Sequence, residues 1–106
     1  MSTLSGPRIR HSVAFTLTHP RGSDGELAFL AALSALASID GVEAFEMLEE
    51  VSPKNGYQLG VSMEFADRAA YEAYNNDPRH VRFVEERWLP EVRDFLEIDF
   101  ATSTLP

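Results

Sequence analysis

Tyr57-Gln58-Leu59-Gly60-Val61-Ser62-Met63-Glu64-Phe65 alternates without a break. Tyr57, Leu59, Val61, Met63 and Phe65 fall on one side, and Gln58, Gly60, Ser62 and Glu64 on the other. A period of two marks a strand with one face on a core. Just upstream, Ser52-Pro53-Lys54-Asn55-Gly56 carries turn chemistry, Asn-Gly being a strong hairpin pair. Val42 to Val51 before it alternates again, Phe45 and Met47 against Ala44, Glu46 and Leu48, so a hairpin is expected. Just downstream, Asp67 can cap a helix from about Arg68 to Asn75, with Ala70, Tyr71 and Tyr74 at neighbouring spacings.

Further out, Ile9 to Thr18 reads as a first strand, with His11, Val13, Phe15 and Leu17 opposite Arg10, Ser12, Ala14 and Thr16. His19 to Gly22 is a turn, in which His19 is expected to be solvated. Ser23-Asp24-Gly25-Glu26 has capping-box spacing and opens a helix to about Ser38. Its stripe is Leu30, Leu33 and Ala37, flanked by Phe29 and Leu36, and Asp40-Gly41 ends it. Past the central stretch, Asp77-Pro78 begins a helix that Pro90 is expected to interrupt, since proline lacks an N–H and crowds the preceding turn. Phe95 to Ala101 is the last strand, Leu96, Ile98 and Phe100 alternating with Phe95, Glu97 and Asp99. The order β-α-β-β-α-β defines an α+β, ferredoxin-like four-stranded antiparallel sheet with helices on one face.

The 106 residues suit one domain, residues 9–101, between a loose leader (1–8) and a tail (102–106). Seventeen acids against nine bases give −8, a balance that argues against nucleic acid or an anionic membrane as partner. The absence of cysteine excludes disulfides, thiolate zinc sites and cysteine nucleophiles. The first residues are too few and too polar for a signal peptide, and no apolar run reaches the length of a membrane span. A cytoplasmic protein is expected. The sheet face away from the helices would leave Leu48, Leu96, Ile98 and Phe100 wet in a monomer. Burying each is worth about 1.5–3 kcal/mol, which favours a homodimer packed sheet on sheet.

Candidate chemistry centres on Tyr74 and His80. His80 follows Asp77-Pro78 in the first helical turn, on a face shared with Val84 and Trp88 and flanked by Phe83 and Arg87. Burial and the positive end of the helix dipole both favour neutral imidazole, the form that accepts a proton. Tyr74 ends the preceding helix, and a short break could bring phenol and imidazole together. Equally, His80 could be a core histidine satisfied by a backbone carbonyl, and Tyr74 a core aromatic.

Arg10-His11-Ser12-Val13-Ala14-Phe15, Gly56-Tyr57, Tyr74 with Asp77-Pro78-Arg79-His80, and Asp99-Phe100 together resemble the stress-responsive dimeric A/B barrel (Dabb) family over about residues 9 to 101. The resemblance implies a ferredoxin-like protomer and a dimer whose two sheets form an α+β barrel. One branch, the plant polyketide (olivetolic acid) cyclase, closes a ring in a pocket between sheet and helices with a His and a Tyr. Those two correspond to His80 and Tyr74, and a further pocket histidine to His11. The chain departs from that branch at Asp77 and Leu59, both histidine there, and at Ala32, a tyrosine there.

Strands one and four are antiparallel neighbours in such a sheet, so His11 and Asp99 converge with His80 and Tyr74 on the helix side. As an enzyme, neutral His80 would remove a proton beside a carbonyl, Tyr74 would hydrogen-bond the enolate oxygen, and Asp99 would orient an imidazole. The pocket around this catalytic pair would be lined by His11, Val13, Phe15, Phe29, Leu33, Phe45, Leu59, Val61, Met63, Phe83, Trp88 and Asp99. It would suit a small hydrophobic, aromatic or polyketide-like molecule. His11, His80 and Asp99 could form a two-His, one-carboxylate metal set, but no short ligand spacing supports it, and neither metal nor cofactor is expected. The two readings are thus a cofactor-independent lyase or cyclase and a non-catalytic, stress-related dimeric barrel or scaffold. A cavity of roughly 300 Å³ or more beside His80 separates them.

Overall fold

The computed structural model describes residues 7–103; most of the expected leader and of the tail lies outside them. The elements are β1 (Ile9–Leu17), α1 (Asp24–Ser34, with a 3₁₀ turn Ala35–Ser38), β2 (Glu43–Glu49), β3 (Leu59–Phe65), α2 (Arg68–Asn76), α3 and β4 (Val92–Ala101). Helix α3 begins as Pro78–Phe83, widens into a π-helical turn at Val84–Trp88 and closes with Leu89–Glu91. The sheet order is β2-β3-β1-β4, antiparallel throughout. This is the ferredoxin-like α+β arrangement.

Local chemistry sets the helix starts. Ser23 Oγ accepts from the Glu26 N–H at 3.2 Å, but the Glu26 carboxylate reaches back to the N–H of Gly22 rather than Ser23, one residue beyond the expected box. Gly25 leaves room for the His19 ring, which a Cβ there would displace. His19 is not simply solvated: Nε2 meets Glu91 Oε1 at 2.6 Å, tying the β1 exit to the end of α3. Asp67 caps α2 through the Ala70 N–H at 2.9 Å, and Asp77 caps α3 through the Arg79 N–H at 2.9 Å.

The core lies between the sheet and the helices. Phe15, Phe29, Leu33, Met63, Phe65 and Tyr74 are its largest fully buried side chains. Val13 pairs with Val61 and Phe15 with Leu59, so β1 and β3 present one continuous apolar face. Met47, opposite Val61, belongs to that face. It is nonetheless 44% exposed, because β2 is an edge strand that the helices only partly cover. The opposite face leaves Leu48 45%, Leu96 48%, Ile98 42% and Phe100 53% exposed.

Strand β4 starts at Val92 rather than Phe95, and two backbone irregularities also depart from the sequence expectation. Between Glu43 and Glu46 the β2–β3 register shifts, and Ala44 takes a left-handed conformation, φ 49°. The result is a bulge, one extra residue in β2 opposite Met63. Pro90 does not end its helix. The N–H of Leu89 bonds to the carbonyl of Val84, five residues back, and the chain continues to Glu91. A π turn relieves the crowding that a proline imposes on an α-helical turn, so the helix widens instead of stopping.

Candidate functional site

A cavity of about 410 Å³ opens between the sheet and α2–α3. Its apolar wall comes from Val13, Val61 and Met63 of the sheet, Leu33 and Leu36, and Phe83, Val84, Trp88 and Leu89 of α3. Its polar end is His11, Tyr74, Asn75, His80 and Glu97. The π turn matters here. Five α-helical steps would leave Leu89 roughly 140° around the axis from Val84. The wider turn brings both, with Trp88, onto the cavity side.

The break at Asp77 folds α3 back on α2, so the Tyr74 and His80 rings lie 4.4 Å apart, tilted by 44°. His80 Nδ1 is 3.2 Å from the carbonyl oxygen of Asn75. A carbonyl only accepts, so Nδ1 carries the proton and the neutral ring keeps its lone pair on Nε2. Burial lowers the His80 pKa below its ordinary value, opposed by the Asn75 carbonyl and assisted by His11. Tyr74 is almost wholly enclosed. Burial, with the nearby Glu97 charge, raises its phenol above the ordinary range, so it remains a donor.

A second network stands beside this pair. His11, opposite Asp99 in the β1–β4 register, is buried with Nδ1 2.6 Å from Asp99 Oδ1. Tyr71 of α2 donates to Asp99 Oδ2 at 2.8 Å, and its oxygen lies 3.1 Å from His11 Nδ1. Asp99 therefore orients an imidazole, and that imidazole is His11. Burial first, then the hydrogen bond to Asp99, raises the Tyr71 pKa, so this phenol too stays protonated. Glu97 Oε2 lies 3.5 Å from His11 Nδ1. One donor atom each from His11, Glu97 and Asp99 falls within 4.8 Å of the others, a grouping that could hold a cation. His80 is not part of it, so the two-histidine set is not assembled.

Of the residues expected around the pocket, His11, Val13, Leu33, Val61, Met63, Phe83 and Trp88 line the cavity with Tyr74 and His80. Phe15, Phe29, Phe45, Leu59 and Asp99 do not. Phe15 and Phe29 are fully buried, their rings 5.9 Å apart, and support Trp88 from behind. Leu59 pairs with Phe15 in the packed core. Phe45 follows the bulge on the edge strand and packs against the core from there. Asp99 stands behind His11. Sequence reasoning missed Tyr71 and Glu97. The i, i+3 spacing of Tyr71 and Tyr74 was a signal for the first, and the shared strand face of Glu97 and Asp99 for the second.

Residues 9–102 match the family model of the Stress responsive A/B Barrel Domain, Dabb. A Dabb family protein with a ferredoxin-like fold from Mesorhizobium loti is 52% identical, covers 92% of this chain and 98% of its own, and superposes with a TM-score of 0.89. A dimeric ferredoxin-like protein of unknown function from Thermobifida fusca is 21% identical, with 96% and 97% covered and a TM-score of 0.77. A hydroxynitrile lyase from Passiflora edulis is 13% identical, with 92% and 95% covered and a TM-score of 0.81. No protein with a curated description matches. No helix among the described residues is long and apolar enough to cross a membrane.

Proposed function

The chain belongs to the stress-responsive A/B barrel (Dabb) family, and from that premise we propose that it is a homodimer whose sheet–helix cavity binds a small aromatic or polyketide-like molecule. In this reading the protein is a cofactor-independent lyase or cyclase, with His80 as base and Tyr74 as hydrogen-bond donor. The observation that carries it is the 410 Å³ cavity with His80 and Tyr74 side by side at its polar end. A purely structural pair would have no need of such a space beside it.

The chemistry follows from the tautomer. With Nδ1–H held by Asn75, Nε2 of His80 takes a proton from a carbon next to a carbonyl, and the bonding electrons move to the carbonyl oxygen. Tyr74 donates its O–H to that oxygen, and the low-polarity wall strengthens the bond. In a cyclase the enolate carbon then attacks a second carbonyl, whose oxygen takes the proton back from His80 Nε2 as it becomes a hydroxyl. In a lyase His80 Nε2 takes the proton of the substrate hydroxyl, and the oxygen's electrons form the carbonyl. The carbanion, cyanide in a hydroxynitrile, leaves with the carbon–carbon bond pair and is protonated by His80. The solved hydroxynitrile lyase shares this fold, which supports the second possibility at the level of architecture alone.

The test is a panel of aromatic hydroxynitriles and 1,3-diketones assayed with the parent chain, His80→Gln and Tyr74→Phe. The parent is expected to turn over at least one member. Both variants should keep the fold and the oligomeric state and lose about 100-fold or more in rate. Full activity in both variants, with only a lower melting temperature, would replace the catalytic reading by the non-catalytic barrel.

A further inference from the structure

We propose that the cavity takes an uncharged hydroxyl compound with an apolar body and rejects the carboxylate of the same shape. This rests on the pocket reading above and specifies its ligand. Among the described residues, no lysine or arginine lines the cavity. Of the arginines nearest in sequence, Arg79 pairs with Asp77, Arg87 pairs with Glu91, and Arg82 is exposed and off the lining. The one formally charged group on the lining is the Glu97 carboxylate, with Asp99 behind it on the same strand face. Even as an imidazolium, His11 is outnumbered by these two acids. A bound carboxylate would therefore lose its water, meet no counter-ion and face a like charge, each of which costs free energy.

Hydrogen-bond capacity points the same way. The proton on His80 Nδ1 is spent on the Asn75 carbonyl, and Asp99 holds His11 Nδ1. Neutral His80 has the Nε2 lone pair left to offer, and Glu97 adds further acceptors. Tyr74 brings an O–H donor, and Asn75 and Trp88, which also line the cavity, carry N–H groups. Acceptors and donors stand together, so the best-matched ligand group both donates and accepts. A hydroxyl does both: it gives its proton to an imidazole nitrogen or to Glu97 and receives the Tyr74 O–H. A carboxylate and an aldehyde bring only acceptors, so neither matches the His80 lone pair and Glu97.

Three probes with one ring system separate these cases: 2-naphthalenemethanol, 2-naphthaldehyde and 2-naphthoate, titrated at pH 7 while the Trp88 indole and His80 ring signals are followed by NMR. The alcohol is expected to bind at least tenfold more tightly than the acid, with the aldehyde between. Glu97→Gln should narrow the alcohol-to-acid ratio at least threefold. Naphthoate binding as well as the alcohol would overturn the proposal while leaving the pocket reading intact, as would a ratio unmoved by Glu97→Gln. No shift at Trp88 or His80 with any probe would overturn both.

Discussion

His80 and Tyr71 show how one side chain's partner decides its role. The pKa of His80 is lowered in the fold, chiefly by burial, so below its ordinary value of about 6.5 the unfolded chain binds the proton that the folded chain resists. The resulting stability is fully present above that pH and is lost as pH falls through the unfolded value toward the folded one. Chemical denaturation between pH 7.5 and 5 is expected to show this slope in the parent and a shallower one in His80→Gln. Equal slopes would mean that the ring is solvated. Tyr71 acts through another residue. Its O–H holds the Asp99 oxygen that His11 does not use, so Tyr71→Phe should cost about 1.5–3 kcal/mol, the range for a hydrogen bond to a charged group. The same variant should move the His11 ring signals in NMR spectra at fixed pH while leaving those of His80 in place. A change in melting temperature with unmoved His11 ring signals would reduce Tyr71 to packing.

At the scale of elements, the two irregularities sit on opposite sides of the core, and only one is strained. Ala44 carries a Cβ in a left-handed conformation at the β2 bulge, which costs an alanine about 1–2 kcal/mol and a glycine nothing in sterics. Glycine restores about 0.5–1 kcal/mol of unfolded-state freedom, so Ala44→Gly should stabilise by about 0.5 kcal/mol. Urea denaturation measures it, and a loss exceeding 1 kcal/mol would show that the methyl is packed rather than strained. The π turn of α3 carries no such left-handed residue. Its gain is positional, since it puts Val84, Trp88 and Leu89 on one cavity wall.

Across the whole molecule, the sheet faces divide the labour. One face, with the helices, encloses the core and the cavity. The other sets Leu48, Leu96, Ile98 and Phe100 around Ser12, Ala14, Gly60 and Ser62, whose small side chains permit close approach. Each exposed side chain still has about 1 kcal/mol to gain from burial against a second copy. Arg8 and Arg10 pair with Glu64, and Arg8 also with Glu43, which neutralises charge across one end of the strands. Sedimentation at micromolar concentration is expected to give a dimer, and Ile98→Lys a monomer that retains its melting cooperativity. A parent that sediments as an 11.8 kDa species would sink the homodimer.

The sequence alone determined what depends on neighbours along the chain. A period of two in Leu59–Phe65 and capping residues at Ser23, Asp67 and Asp77 specify elements through local sterics and hydrogen bonds. The Asn55-Gly56 pair, by contrast, does not make the tight hairpin turn expected of it, and β3 starts at Leu59. Element order then selected the topology, and with it the meeting of His11 and Asp99, 88 residues apart. Four outcomes were left to the tertiary structure. The bulge at Ala44, the π turn before Pro90, the attachment of Tyr71 to Asp99 and the cavity beside His80 depend on register, helix rotation and packing. A proline states that an α-helical turn is crowded, not whether the chain stops or widens there. An apolar stripe states which side faces inward, not whether the interior closes. Phe15 and Phe29 filled their part of it, while Tyr74, His80 and Trp88 stand around a cavity because the helix that carries two of them turns back at Asp77.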